Sequence, residues 1–129
     1  MCYWVTFIAL VLLLSGCTAS PPMSALNAGD AVRGAQLFAQ GRGEIPPCST
    51  CHQVVSGQVG FSIGPNLAGI GEHAGTQVAE LSAEEYLRQS ILEPGRYIVP
   101  GYRNMMYADY DAHLTEQNIE DLIAYLFTL

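Results

Sequence analysis

The pentapeptide Cys-Ser-Thr-Cys-His, residues 48 to 52, constrains this chain more than any other stretch. Two thiols stand three positions apart with an imidazole directly behind the second, and on a helical turn residues so spaced project from one side. The chain has four cysteines: Cys2 and Cys17 flank an apolar leader, so Cys48 and Cys51 are the one pair in the folded part. A single close pair cannot staple a small fold, which excludes a disulfide framework.

Three chemistries use closely spaced thiols. A thioredoxin-type redox pair needs a βαβ setting, and no strand pattern is visible here. A structural zinc site needs four ligands, and with no second C-x-x-C, His73 or His113 would complete only an irregular one. The third, C-x-x-C-H, is the covalent attachment pattern of haem: Cys48 and Cys51 add to the two vinyl groups as thioethers, and His52 becomes an axial ligand of the iron. The chain's 129 residues fit a single small domain, and a domain of this size buries only roughly 60–70% of its unfolded surface. A bound cofactor supplies core that it otherwise lacks.

Residues 1–14, "MCYWVTFIALVLLL", are apolar, and as a helix they would span about 21 Å, short of the roughly 30 Å hydrocarbon core. This predicts a secretory signal over residues 1–16 rather than a spanning helix. "LSGC", ending at Cys17, resembles the bacterial lipoprotein cleavage box, in which the cysteine is lipidated and becomes the new N-terminus. Thr18 follows it, not the aspartate that in some bacteria retains a lipoprotein at the inner membrane; an uncleaved leader would tether the domain equally. Residues 17–26 are rich in Pro, Ser and small side chains and read as a flexible spacer. The domain is expected over residues 27–129, on the outer side of the cytoplasmic membrane or elsewhere in the cell envelope, facing the periplasm. Twelve acids against five arginines give a net charge of −7, with no lysine, which argues against nucleic acid. An electrostatically steered partner would offer a basic patch.

Three helices are predicted, joined by long Gly- and Pro-rich loops, so the fold class is all-α. The first, in "NAGDAVRGAQLFAQG", has Asn27 or Asp30 as N-cap, Gly41 as C-cap, and Ala31, Gly34, Ala35 and Phe38 on one face. Gly34 costs up to about 1 kcal/mol against alanine in a helix, which points to close approach of another helix. The middle helix opens on a Ser82/Glu85 capping box and stops before Pro94. The last is capped by Thr115, with Leu114 and Ile119 as a hydrophobic staple, and Glu116, Glu120 and Asp121 complementing its dipole. Its stripe of Ile119, Leu122, Ile123 and Leu126 is expected to cross the first helix, with Gly34 and Phe38 against Ile123 and Leu126.

In the order helix, "CSTCH", "GPNLAGIG", helix, "NMMY", helix, residues 27 to 129 resemble a class I cytochrome c. The resemblance implies a small fold wrapped around one covalent haem c. It implies that the carbonyl of Pro65 accepts a hydrogen bond from the ligand His52, and that Leu67 presses on the macrocycle. Only Met105 and Met106 lie in the domain, and neighbours in an extended loop point opposite ways, so one of them should face the iron. Related sequences resemble Gly-Tyr-x-x-x-Met-Pro, which matches Gly101, Tyr102 and Met106; Met105 is the fallback ligand, and Tyr107 stands in place of the proline. A His/Met pair raises the reduction potential, whereas His73 or His113 as sixth ligand would lower it. Arg96, Tyr97 and Tyr102 are candidate donors to the haem propionates.

The reading is an electron carrier rather than an enzyme: a membrane-tethered monohaem cytochrome exchanging electrons with redox proteins or a membrane electron-transfer complex. A fixed haem subunit of a respiratory or photosynthetic complex is the alternative. An open iron site for peroxide or a gas is the third reading, and it would require the methionine to be absent or labile.

Overall fold

Side chains at Asp30, Ser82 and Thr115 fix where the three long helices begin. The computed structural model describes residues 28–57 and 62–129. The leader, the spacer, Cys17 and Asn27 lie outside these residues. Among the described residues five α-helices follow in order: α1 (Ala31–Gln40), α2 (Ile70–His73), α3 (Ala83–Leu92), α4 (Tyr110–His113) and α5 (Glu116–Leu126), with 3₁₀ turns at Cys48–Thr50 and Ala74–Thr76. There is no strand among the described residues, only a bridge between Arg42 and Ile45. None of their helices is long and apolar enough to cross a membrane.

Each long helix starts on the cap its sequence predicts. Asp30 accepts from the backbone N–H groups of Val32 and Arg33, and α1 closes at Gly41, whose N–H reaches the Leu37 carbonyl. The Ser82/Glu85 capping box is complete, and α3 ends at Leu92, two residues before Pro94. Thr115 caps α5 in a second capping box, completed by the Asn118 side chain. An amide at that position is why the reciprocal half of the box escapes a search for Glu or Gln. The staple pair Leu114 and Ile119 is buried.

Helix α1 packs most extensively on α5. Gly34 allows this: a Cβ there would lie 2.6 Å from the Asp121 carbonyl carbon and 2.8 Å from the Tyr125 Cβ. The crossing point is therefore Asp121 and Tyr125, one turn apart, rather than Ile123 and Leu126. Phe38 stacks at a tilt on Tyr125, ring centroids 5.4 Å apart, while Leu122 and Leu126 join Phe38 in lining an internal cavity.

Asp121 is not simply a dipole complement of its own helix. It is 3% exposed, and it accepts from the Asp30 N–H at 2.8 Å, from Arg33 Nε at 2.7 Å and Nη2 at 2.9 Å, and from Gln117 at 2.9 Å. These bonds tie the start of α1 to α5. A second link joins α3 to α5, where Arg88 bonds Glu116 and Glu120 beside Glu84. The Arg88 pairs are partly exposed, and pairs of that kind contribute at most about 1 kcal/mol each.

The hydrogen bond from Arg33 is the largest cause holding the Asp121 carboxyl down at about 2, against an ordinary 3.8. A depressed carboxylate contributes stability that is complete above its unfolded value and disappears as the pH falls through the folded one. Because the Arg33 side chain is half in water, Asp121→Asn should cost about 1–2 kcal/mol rather than the 3–5 of a fully buried pair. Guanidinium titrations should show that loss near neutral pH, with variant and wild type converging as the pH approaches about 2. A constant difference across that range would contradict the role given to the carboxylate.

Candidate functional site

Pro47, extended at φ −57° and ψ 131°, delivers the chain into the Cys48–Thr50 turn. The Cys48 carbonyl accepts from the N–H of Cys51 at 3.1 Å and of His52 at 2.9 Å, so the pentapeptide is one tight turn. Cys48, Cys51 and His52 all line the same cavity, as the i, i+3, i+4 spacing predicts. Both cysteine side chains are half-buried. Burial pushes the Cys48 thiol above its ordinary value.

The "GPNLAG" segment acts as a clamp on this turn. The Gly64 N–H bonds the Cys51 carbonyl at 2.9 Å, the Leu67 N–H bonds Gln53 at 2.7 Å, and the Asn66 amide reaches the Val55 carbonyl at 3.0 Å. Ser62 also donates to the Cys51 carbonyl. At the centre of the clamp, His52 Nδ1 donates to the Pro65 carbonyl at 2.8 Å. That bond fixes the tautomer and leaves Nε2 with the free lone pair, the arrangement of a metal-ligating histidine. Burial lowers the His52 value against the opposing pull of the Pro65 carbonyl, which favours the neutral, ligating ring. Gly64 is required by contact: a Cβ there would lie 2.5 Å from His52 Cε1 and 2.8 Å from Nδ1.

The cavity measures about 1080 Å³ including its open mouth, and its lining is mostly apolar. Phe38, Leu67, Leu87, Ile91, Leu122 and Leu126 contribute from α1, α3, α5 and the clamp. The loop from Tyr97 to Met106 supplies a further part of the lining. Tyr97 and Tyr102 are there, as are both adjacent methionines, but their exposures differ: Met105 is 61% exposed, whereas Met106 is half-buried against the core. Tyr107, in place of a proline, packs edge-on against Tyr110 at 5.0 Å and lies 6.2 Å from the His113 ring. Aromatic packing thus restrains the loop where a fixed φ would otherwise do so.

Arg96 does not line the cavity. It is exposed and paired with Glu93 at 3.1 Å, because the chain turns just past the end of α3, where the Arg96 N–H also bonds the Glu93 carbonyl. Arg103 and Asn104 do line the cavity, and so does the buried Tyr110; sequence reasoning missed all three. The only signal for Arg103 and Asn104 was their place within the "GYRNMMY" segment. His73 and His113 are exposed and outside the lining. Among the described residues no cluster of three or more His, Cys, Asp and Glu is placed to hold a metal ion.

The donor set suits a haem. Two thiols share one turn, an imidazole beside them keeps Nε2 free, a half-buried thioether lines the same cavity, and apolar walls can cover the faces of a flat ring. Haem held this way should make Gly64→Ala costly. The added methyl must displace the His52 ring or open the clamp, at about 1–3 kcal/mol for overpacking. Thermal unfolding of the ferric protein should shift down accordingly; an unchanged midpoint would contradict the packing described.

The Cytochrome c family model matches residues 31–129, which takes in every element described above. No curated protein matches the chain. Members of this family carry covalently attached haem c, typically one per domain, and Cys48 and Cys51 stand in the attachment spacing. By that match, and by the turn, clamp and cavity that its residues build, the chain belongs to the cytochrome c family.

Proposed function

We propose that this cytochrome is a membrane-tethered monohaem carrier, passing single electrons between redox proteins outside the cytoplasmic membrane. The cytochrome c domain itself makes the protein a haem-binding electron carrier. One observation supports single-electron transfer at a closed iron site: the clamped His52 and the half-buried Met106 line the same apolar cavity as the cysteine pair.

Haem bound here would supply one-electron chemistry at its iron. Cys48 and Cys51 would anchor the ring to the turn that also carries His52. His52, held by Pro65, would bind the iron through Nε2, and Met106 would bind it through its thioether sulfur. Both are neutral, so neither needs to gain or lose a proton when the metal changes charge. With both side chains bound, small molecules would be kept off the metal and reorganisation limited, which suits transfer rather than catalysis. Leu67 and the surrounding aliphatic side chains exclude water from the ring faces. No general base or nucleophile takes part.

Tethering rests on the sequence. With Cys17 lipidated, residues 17–26 give a spacer of at most about 35 Å when fully extended. Confinement within that reach raises the effective concentration of the domain near membrane partners without any new contact.

Met106→Ala should abolish the weak ferric charge-transfer band of methionine ligation and open the ferrous iron to carbon monoxide. Met105→Ala should leave both properties as in the wild type. The reverse pattern would make Met105 the ligand, and carbon monoxide binding by the wild type at neutral pH would favour an open-site reading. Cys17→Ser should move the protein from the membrane fraction to the soluble fraction while its visible spectrum stays unchanged. Retention of that variant in membranes would overturn lipid tethering.

A further inference from the structure

The distribution of charge around the cavity is lopsided. The sequence holds twelve acids and five arginines, yet none of the acids lines the cavity and only one arginine does, Arg103. The other four arginines are engaged elsewhere. Arg33 pairs with Asp30 and Asp121, Arg88 with Glu84, Glu116 and Glu120, Arg96 with Glu93, and Arg42 donates to the Asn118 side chain. Arg103 makes no ion pair or side-chain hydrogen bond among the described residues. Among the described residues, a chain with seven net negative charges thus has its one unpaired guanidinium in the lining of a mostly apolar cavity.

We infer that Arg103 is the cation that holds the carboxylates of the bound haem and thereby raises the reduction potential. The inference rests on haem c occupying the cavity. A porphyrin bearing two carboxylates cannot place them against aliphatic walls without donors, because a carboxylate withdrawn from water needs hydrogen bonds or an opposite charge. The guanidinium offers a planar fork that matches a carboxylate with two parallel N–H bonds. Asn104 lies next to it in the lining, and Tyr97 and Tyr102 supply hydroxyls from the same loop. Arg103 sits three residues before Met106, so the segment that supplies the sixth ligand would also neutralise the macrocycle's charge. Arg96, which the sequence favoured for this task, faces Glu93 instead.

Arg103 acts through the charge it places near the iron, and this sets the test. A cation near the metal favours the ferrous state, so its removal shifts the equilibrium toward ferric. In Arg103→Gln holoprotein, the ferrous-to-ferric ratio at the wild-type midpoint potential should fall by a factor of roughly three to ten, as loss of one partly screened charge requires. Arg103→Lys keeps the charge and should restore most of the ratio, and Arg96→Gln should leave it unchanged. A purely structural arginine would not show rescue by charge. If Arg103→Gln matures poorly, the comparison of Arg103→Lys with Arg96→Gln in methionine-ligated holoprotein remains decisive. A lysine potential near wild type supports the charge role, and one shifted far below it overturns the role. Haem-loaded Arg103→Gln with an unchanged potential would overturn the inference and leave the family intact, whereas wild type without haem would overturn the reading beneath it.

Discussion

The hydrogen bond from His52 Nδ1 to the Pro65 carbonyl is the constraint on which the rest of this structure depends. An imidazole on a single tight turn has two rotatable bonds and two nitrogens that can exchange roles. The carbonyl removes both freedoms, since it orients the ring and dictates which nitrogen keeps a lone pair. The neighbouring bonds from Gly64 to Cys51 and from Leu67 to Gln53 then hold the carbonyl itself in place. Small side chains follow from this closeness: at Gly64 even one methyl would collide with the ring. The clamp and the attachment turn are therefore one unit built from two loops.

That unit needs a frame, and α1 and α5 provide it. Beyond the short Cys48–Thr50 turn neither loop has regular structure of its own, so its position is inherited from the helices that flank it. Gly34 lets the two helices approach until backbone meets backbone, and the Asp121 carboxylate satisfies the exposed start of α1 at the same point. The other sides of Phe38, Leu122 and Leu126 are thereby turned toward the cavity. Helix α3 adds Leu87 and Ile91, and Arg88 fixes it against α5. A core shared in this way between helices and a flat prosthetic group explains why so short a domain keeps an open, apolar-lined cavity at its centre.

The legible features were those with a local cause. Asp30, Ser82 and Thr115 act on N–H groups two or three residues away, so their sequence context suffices, and the same holds for the spacing of Cys48, Cys51 and His52. Gly34 announced a close crossing by its helix cost, but not the residues it meets. Asp121 was misread because its main partner, Arg33, lies 88 residues away in sequence and becomes a neighbour only when α1 and α5 cross. The choice between Arg96 and Arg103 escaped for a similar reason. Both belong to a loop without periodicity, and which one faces the cavity depends on how the chain turns after α3. Pattern favoured Met106 over Met105; both line the cavity, and they differ in burial, Met105 being exposed and Met106 half-buried against the core.

The central claim is that sulfur from Cys48 and Cys51 bonds one porphyrin, whose iron changes oxidation state. A pyridine haemochrome spectrum taken together with the intact mass tests it most directly, on protein made in cells able to mature c-type cytochromes. The account predicts a haem c spectrum and a mass increased by one haem per chain, resistant to acid–acetone extraction. A colourless polypeptide with unmodified thiols would contradict it.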